Sequence, residues 1–343
     1  MAEFIENKFW VVFPYHLVRH LRNLQLSPAA VKEERDRKPR LLCDHSWNWD
    51  WPPINETTIH HAPPEAMQFG RTLRRILTQI RHANPKFGPP RASKHDLKDG
   101  FYRMFLNASD CPRLALILPQ YEEEPQLVAI PMATTMGWVQ SPPTFSVMSE
   151  SVCDISNARF QASPLHVAHH RLEDRAALHD DLSRSMTPRP RSPEDAQADL
   201  LLAAVPGTTT LPPERDHVAP PSNRLLTRPL GTTDVFVDDV IQLGQGGRRR
   251  MKALRGHLLE AIDAVLSQPA SDESHRQEAV SLKKLLKGDG SWATRKLILG
   301  WIINALRQTM ELPPHRKATL AHIFTDLASR RRVSHKKWQR YLG

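Results

Sequence analysis

At 343 residues, 40% of them hydrophobic, the chain has the length for a large core and two or three subdomains, and a composition that excludes a wholly disordered protein. The 47 Lys and Arg residues against 37 Asp and Glu give a formal net charge of +10 and a pI near 9.7, which suits an anionic partner such as nucleic acid. Cys43, Cys111 and Cys153 are odd in number and lack any Cys-x-x-Cys spacing, so neither a disulfide framework nor a zinc site is signalled and a reducing, intracellular setting fits.

The N-terminal stretch FWVVFPYHLV is apolar but short, broken by Pro14 and His16, with no small-residue cleavage site after it. It is not read as a signal peptide, and no run reaches transmembrane length. The sequons at Asn55 and Asn107 carry no meaning in an intracellular chain. Residues 1–62 combine an amphipathic start, the charged turn KEERDRKPR, the apolar LLC and a Trp- and Pro-rich loop running to INETT, which together predict a β-hairpin carrying basic residues. From Glu65 to Ala83, Met67, Leu73, Ile76, Leu77 and Ile80 fall at helical spacing with Arg71, Arg74 and Arg75 on the other side, the pattern of an amphipathic helix. RLALILPQ and QLVAIPMA, separated by the acidic YEEEP, predict a hairpin. After GWVQSPPTF, Phe145, Met148, Val152 and Ile155 again repeat at helical spacing, and Ser141 followed by two prolines suits a helix start.

Residues 161–230 are rich in Pro, His, Ser and charge, and a poorly ordered insertion with one short helix near Leu200 is expected there. His166 and His170 stand four apart, as helical metal ligands would, but with no third ligand in view solvated histidines are the plainer reading. The adjacent Asp180 and Asp181 lie among polar residues in LHDDLSRS and read as solvated too. Met251, Leu254, Leu258, Ile262 and Val265 define another helix, RKLILGWIINAL reads as a strand turning into a loop, and the helix PHRKATLAHIFTDLASRR and a basic tail close the chain.

The stretch TTDVFVDDVIQLG sets Asp238 and Asp239 side by side in an apolar, β-branched run ended by glycines, which places the pair at a hairpin tip. Two like charges about 4 Å apart cost roughly 4 kcal/mol at an effective dielectric of about 20, and desolvation adds to this. A bound cation would turn that cost into affinity. Asp96 also follows a strand-like lead, with Asp99 in the polar turn after it and the bulky Phe101 five residues on. One carboxylate together with a distant acidic pair is what two divalent cations need for in-line phosphoryl transfer, and magnesium prefers such oxygen ligands.

These motifs resemble those of retroelement reverse transcriptases. DLKDGFYRM resembles the family's first catalytic motif, an Asp followed at the fifth position by Phe or Tyr; MGWVQSPPTF resembles the glycine turn, Ser-Pro and helix that support template and nucleotide; VFVDDVI resembles the Asp-Asp hairpin. Upstream, VKEERDRKPRLLCDHSW with INETT is similar to the fingers hairpin, and downstream SLKKLLKGDGSWATRKLILGW to the stretch bearing an acid lysine and the Leu-Gly-aromatic primer grip. The LGW stretch and LPPHR lean towards gypsy-like or tyrosine-recombinase-type elements.

The resemblance implies an α+β fold of right-hand polymerase fingers and palm, with an RRM-like antiparallel palm sheet packed on helices and the thumb largely absent. It divides the chain into an N-terminal segment and fingers hairpin (1–62), a first palm part (63–160), the insertion (161–230), a second palm part with the acidic hairpin and primer grip (231–310), and the start of a thumb with a basic tail (311–343). It implies that Asp96, Asp238 and Asp239 bind two Mg2+ or Mn2+ ions, that Lys32 and Arg40 meet the triphosphate of a deoxynucleotide, and that Phe101 excludes a 2′-hydroxyl. It further implies that Gly137 lets the backbone approach the nucleotide, with an ordinary turn glycine as the alternative, and that Lys284 is the acid for the pyrophosphate leaving group, with Lys283 and a plain surface lysine as the rival readings. The expected partners are an RNA or DNA template with its primer.

Met136 stands where many relatives carry Gln, and Phe236 and Val237 stand where retroviral relatives often have Tyr and Met; neither change removes a metal ligand. With no room expected for a full thumb, an RNase H domain or an integrase, the chain reads as a piece of a longer polyprotein or a decayed element copy. The competing readings are a catalytically inactive nucleic-acid-binding remnant and a two-metal nuclease. The nuclease leaves the Lys32 and Arg40 hairpin and Phe101 without a purpose.

Overall fold

The computed structural model of the protein describes residues 2–32, 40–48, 52–59, 71–120, 122–182, 225–267, 277–330 and 332–342. In chain order they form α1 (Ala2–Glu6), β1 (Trp10–Pro14), α2 (Tyr15–Val18), β2 (Leu26–Lys32), β3 (Arg40–Cys43), α3 (Ile54–Thr58), α4 (Thr72–His82), β4 (Arg91–Asp96), β5 (Ala115–Ile117), β6 (Leu127–Pro131), α5 (Ser141–Ala162), α6 (Glu173–Ala176), β7 (Gly231–Phe236), β8 (Asp239–Gly244), α7 (Arg248–Leu266), α8 (Leu282–Leu286), β9 (Arg295–Ile298), β10 (Trp301–Asn304), β11 (Thr309–Glu311), α9 (Pro314–Ala328) and α10 (His335–Leu342). No helix among the described residues is long and apolar enough to cross a membrane.

The strands make a mixed α/β architecture of three sheets, ordered β1-β6-β5-β2-β3, β4-β8-β7 and β11-β10-β9. All their pairings are antiparallel except β2 with β5. The central sheet, β4-β8-β7, follows from the two-residue alternation of its strands. On one face Thr233, Val235, Val240 and Gln242 turn towards α5 and α7, where Gln242 donates to the Leu254 carbonyl at 2.8 Å and Asn157 exchanges hydrogen bonds with the Thr233 backbone at 2.8 and 2.9 Å. On the other face Ala92, Ile241 and Leu243 pack with Ile76 and Ile80 of α4 and Ile298 and Ile303 of the β9–β10 hairpin. Each such large apolar side chain contributes on the order of 1.5–3 kcal/mol when fully buried.

Helix α5 starts where expected, with Pro142 and Pro143 in the first turn, where a missing N–H costs no intrahelical bond. The predicted hairpin over 113–133 forms as β5 and β6, and the basic hairpin expected within 1–62 as β2 and β3. The expected helix from Glu65 is seen from Thr72, after Arg71 as its N-cap; residues 65–70 lie outside the described ones, as does the stretch near Leu200.

Three expectations are corrected. RKLILGWIINAL is a hairpin of two strands, β9 and β10, closed by Leu299 and Gly300 with φ +47° and +80°. Positive φ at both turn residues suits strand twist, but leucine is not a turn residue by type and concealed the turn. Residues 161–182 are not a loose insertion: α6 and its flanks are tied to α7 by His170 and Arg171 on Asp263 and by Glu173 and Asp180 on Arg255. His170 is therefore buried rather than solvated, and so is most of Asp180, whose side chain is 11% exposed. The basic tail holds a helix, α10, whose Lys337 and Tyr341 meet Asp326 of α9 alongside Arg330.

Candidate functional site

Strands β7 and β8 pair Phe236 with Asp239, leaving Val237 and Asp238 as a two-residue turn. Val237 has φ +56°, a region glycine prefers, and a β-branched residue held there costs roughly 1–3 kcal/mol. The turn projects Asp238 from the sheet end, and the register sets Asp239 opposite Asp96, the last residue of β4. The Leu97 N–H donates to the Asp238 carbonyl at 2.9 Å and locks that juxtaposition. Residues about 140 apart in sequence thus meet because β4 and β8 are neighbours in one sheet.

The outer edge of β4 is closed by the later chain. The backbone N–H groups of Lys98, Lys94 and Ala92 donate to the carbonyls of Ala279, Asp289 and Ala293, and the Ser281 N–H donates in the other direction to the Asp96 backbone carbonyl, all at 2.7 to 2.9 Å. Between these anchors the chain bulges out as the one-turn α8, which sets Lys284 above the sheet end with its ammonium on the Asp96 carboxylate. A second lysine, Lys94, precedes Asp96 by two residues and so shares its face of the strand. Its Nζ lies 3.4 Å from Asp239 Oδ1 and 3.3 Å from Asp289 Oδ2.

The electrostatics follow from this crowding. Burial is the largest influence on Asp96 and raises its pKa; Lys284 opposes it, but Asp239 adds to it and the net shift is upward. Asp238 is likewise raised, by partial removal from water first and then by Asp239 and Asp96, although its carboxyl at the turn stays open to solvent. Burial works against the Lys94 ammonium, yet Asp239 and Asp289 outweigh it and raise its pKa. Four carboxylates, Asp96, Asp238, Asp239 and Asp289, therefore face two ammoniums, Lys94 and Lys284. Among the described residues no group of three or more His, Cys, Asp or Glu is already set as a metal cage. The donor set is nonetheless all oxygen and carries surplus negative charge, which fits a hard divalent cation. His95, the nearest imidazole in sequence, is on the opposite face, fully buried and kept neutral by burial, its pKa about 3.

No family model and no curated protein matches the sequence. Among solved structures, the foamy viral protease-reverse transcriptase dRH in complex with double-stranded DNA is similar at 12% identity and a TM-score of 0.47, over 99% of this chain and 37% of that one. The chain thus spans just over a third of that protein's length.

Of the remaining residues singled out in the sequence, Phe101 begins a 3₁₀ turn after Asp96 and meets Phe145 of α5 edge-on, ring centroids 5.5 Å apart. Gly137 has φ +106°, and a Cβ there would collide with the Cys43 carbonyl at the end of β3, so the glycine is required by the approach of two backbones. Lys32 and Arg40 are partners across the last rung of the β2–β3 hairpin, and residues 33–39 between them lie outside the described residues.

Other residues of the site are not evident from their types. Asn55 accepts from the Val139 N–H at 2.8 Å and donates to the Gly137 carbonyl at 2.9 Å, while buried His45 bridges Ser27 and Thr135 at 3.0 and 2.9 Å. Burial lowers the His45 pKa to about 4 against the pull of Asp44, so it works as a neutral strut. These contacts fasten the turn before α5 to the β2–β3 hairpin. Lys94 lies outside the motifs, although its two-residue spacing from Asp96 signals a shared face, and Asp289 lies within SLKKLLKGDGSWATRKLILGW, where its type alone gives it no role at the site.

Proposed function

We propose that the protein is an RNA-directed DNA polymerase domain of a retroelement, joining deoxynucleotides to a primer 3′-hydroxyl. The observation that carries this reading is the register that sets Asp96 opposite Asp239, with Asp238 on the adjoining turn, at the open end of a sheet backed by helices. Asp96, Asp238 and Asp239 would hold two magnesium ions, which supply positive charge to the attacking and leaving oxygens of an in-line displacement. The chain's own groups divide the remaining work. Lys284 Nζ delivers a proton to the departing pyrophosphate, and Lys32 and Arg40 hold the triphosphate at the hairpin end. Phe101, braced on Phe145, closes the space a 2′-hydroxyl would need.

The test is a labelled primer annealed to RNA and incubated with the protein, deoxynucleotides and Mg2+. Extension that stops on chelation is expected. Retention of the primer without growth would indicate a binding remnant, and its shortening a nuclease; either result removes the polymerase assignment. In the same assay Phe101→Val is expected to admit ribonucleotides, raising their use relative to deoxynucleotides by about 10- to 100-fold, on the scale of one lost steric contact. Unaltered rejection would show that another residue guards the sugar.

A further inference from the structure

Two lysines serve the carboxylate cluster, and they are held very differently. Lys94 is 14% exposed, lies between Asp239 and Asp289, and belongs to β4, an outer strand of its sheet whose backbone is bonded on one side to β8 and on the other to the 279–293 segment. Lys284 is 45% exposed, sits on a five-residue helix with Leu285 as its one buried side chain, and touches a single carboxylate, Asp96, among the described residues. One is built into the sheet; the other reaches in from outside it.

Charge counting makes the difference matter. With both ammoniums in place, one dication balances the four carboxylates, and a second leaves the cluster positive. Like charges a few ångströms apart repel strongly even at the dielectric of a protein surface, so a second cation and the Lys284 ammonium compete for Asp96. We infer that Lys284 is a displaceable counter-ion: it neutralises Asp96 while the site holds no metal, and its ammonium must leave Asp96 before the full complement of divalent cations can bind. Lys94 stays in place throughout. The inference rests on the reading of the cluster as a cation site and adds a coupling to it: the event that fills the site also frees Lys284 towards the side from which a phosphate ligand would approach. The same residue then serves the empty site as a plug and the filled site as an acid.

Titrating the full chain with Mn2+ without nucleotide, and following free Mn2+ by electron paramagnetic resonance, tests the coupling. Lys284→Met is expected to bind Mn2+ about 3- to 10-fold more tightly than wild type, because a competitor has been removed. Asp96→Asn and Asp238→Asn should weaken binding. Thermal melting confirms folding, and Lys284→Gln serves if the methionine variant does not fold. In wild type, the rate at which Lys284 is reductively methylated, read by mass spectrometry, should rise when Mg2+ is added. Equal or weaker Mn2+ binding by Lys284→Met, or a methylation rate indifferent to Mg2+, overturns the plug while leaving the cation site standing. Binding that ignores Asp96→Asn and Asp238→Asn overturns the cation site itself, and the plug with it.

Discussion

Replacing Arg255 with methionine is expected to destabilise the protein by about 3–5 kcal/mol, the cost of removing one partner from a buried ion network. Arg255 is 1% exposed and grips Glu173 with Nε and Nη2 at 3.1 and 2.6 Å and Asp180 with Nη1 and Nη2 at 2.8 and 3.1 Å. Burial disfavours its charge more than any other single influence, but the two carboxylates outweigh that and raise its pKa. Without the guanidinium, two acids remain in a region shaped to exclude water. Unfolding in urea or by heat would measure the loss, which at about 2–4 °C per kcal/mol amounts to a fall in Tm on the order of 10 °C. A triple variant that also carries Glu173→Gln and Asp180→Asn should recover much of it, because the uncompensated charge is gone. A single-variant loss below about 1 kcal/mol would show that this network adds little beyond a surface pair.

The Arg255 network also shows why part of the fold could be read from sequence and part could not. Helices α5 and α7 were legible because Phe145, Val152, Leu254, Leu258 and Ile262 bury themselves at a spacing local to each helix. The segment around Glu173 and Asp180 has no such pattern; it is ordered by charges about 80 residues away, and a local reading assigns those charges to water. Asp263 repeats the lesson: burial alone would raise its pKa, yet Arg171 and His170 pull it well below the ordinary carboxylate value. At the site, Asp96, Asp238 and Asp239 stood out because acids in apolar strands are costly, and their neighbours in the sheet follow from that. Lys94 and Asp289 did not stand out, since a lysine in a strand and an aspartate in KGDG look ordinary until the edge pairing of β4 brings them within 3.3 Å. Leu299 and Val237 hide turns for a related reason: each takes positive φ against its own preference because the strands on both sides fix the register.

Asp238→Asn is expected to separate activity from stability. Primer extension in Mg2+ should fall by about a thousandfold or more, equivalent to roughly 4 kcal/mol of barrier, because a neutral amide is a poor ligand for a hard cation. Metal-free stability should move the other way. The folded-state pKa of Asp238 lies above its ordinary value, so the folded protein holds that proton more tightly than the unfolded chain does, and the ionised carboxyl costs stability at neutral pH. That cost shrinks as pH falls through the folded pKa and is gone below the unfolded one. Asn carries no charge at any of these values, so its stabilising effect should be present at pH 7 and absent near pH 3, small throughout because water screens the exposed turn. Added Mg2+ should then reverse the ranking. At ten times its Kd the cation stabilises wild type by about 1.4 kcal/mol and the variant by far less. Melting curves at both pH values, with and without Mg2+, check all of this on one instrument. A variant that loses stability together with activity, in metal-free buffer at pH 7, would make Asp238 a structural residue of the hairpin. Retention of both would leave the convergence of these carboxylates without a chemical purpose.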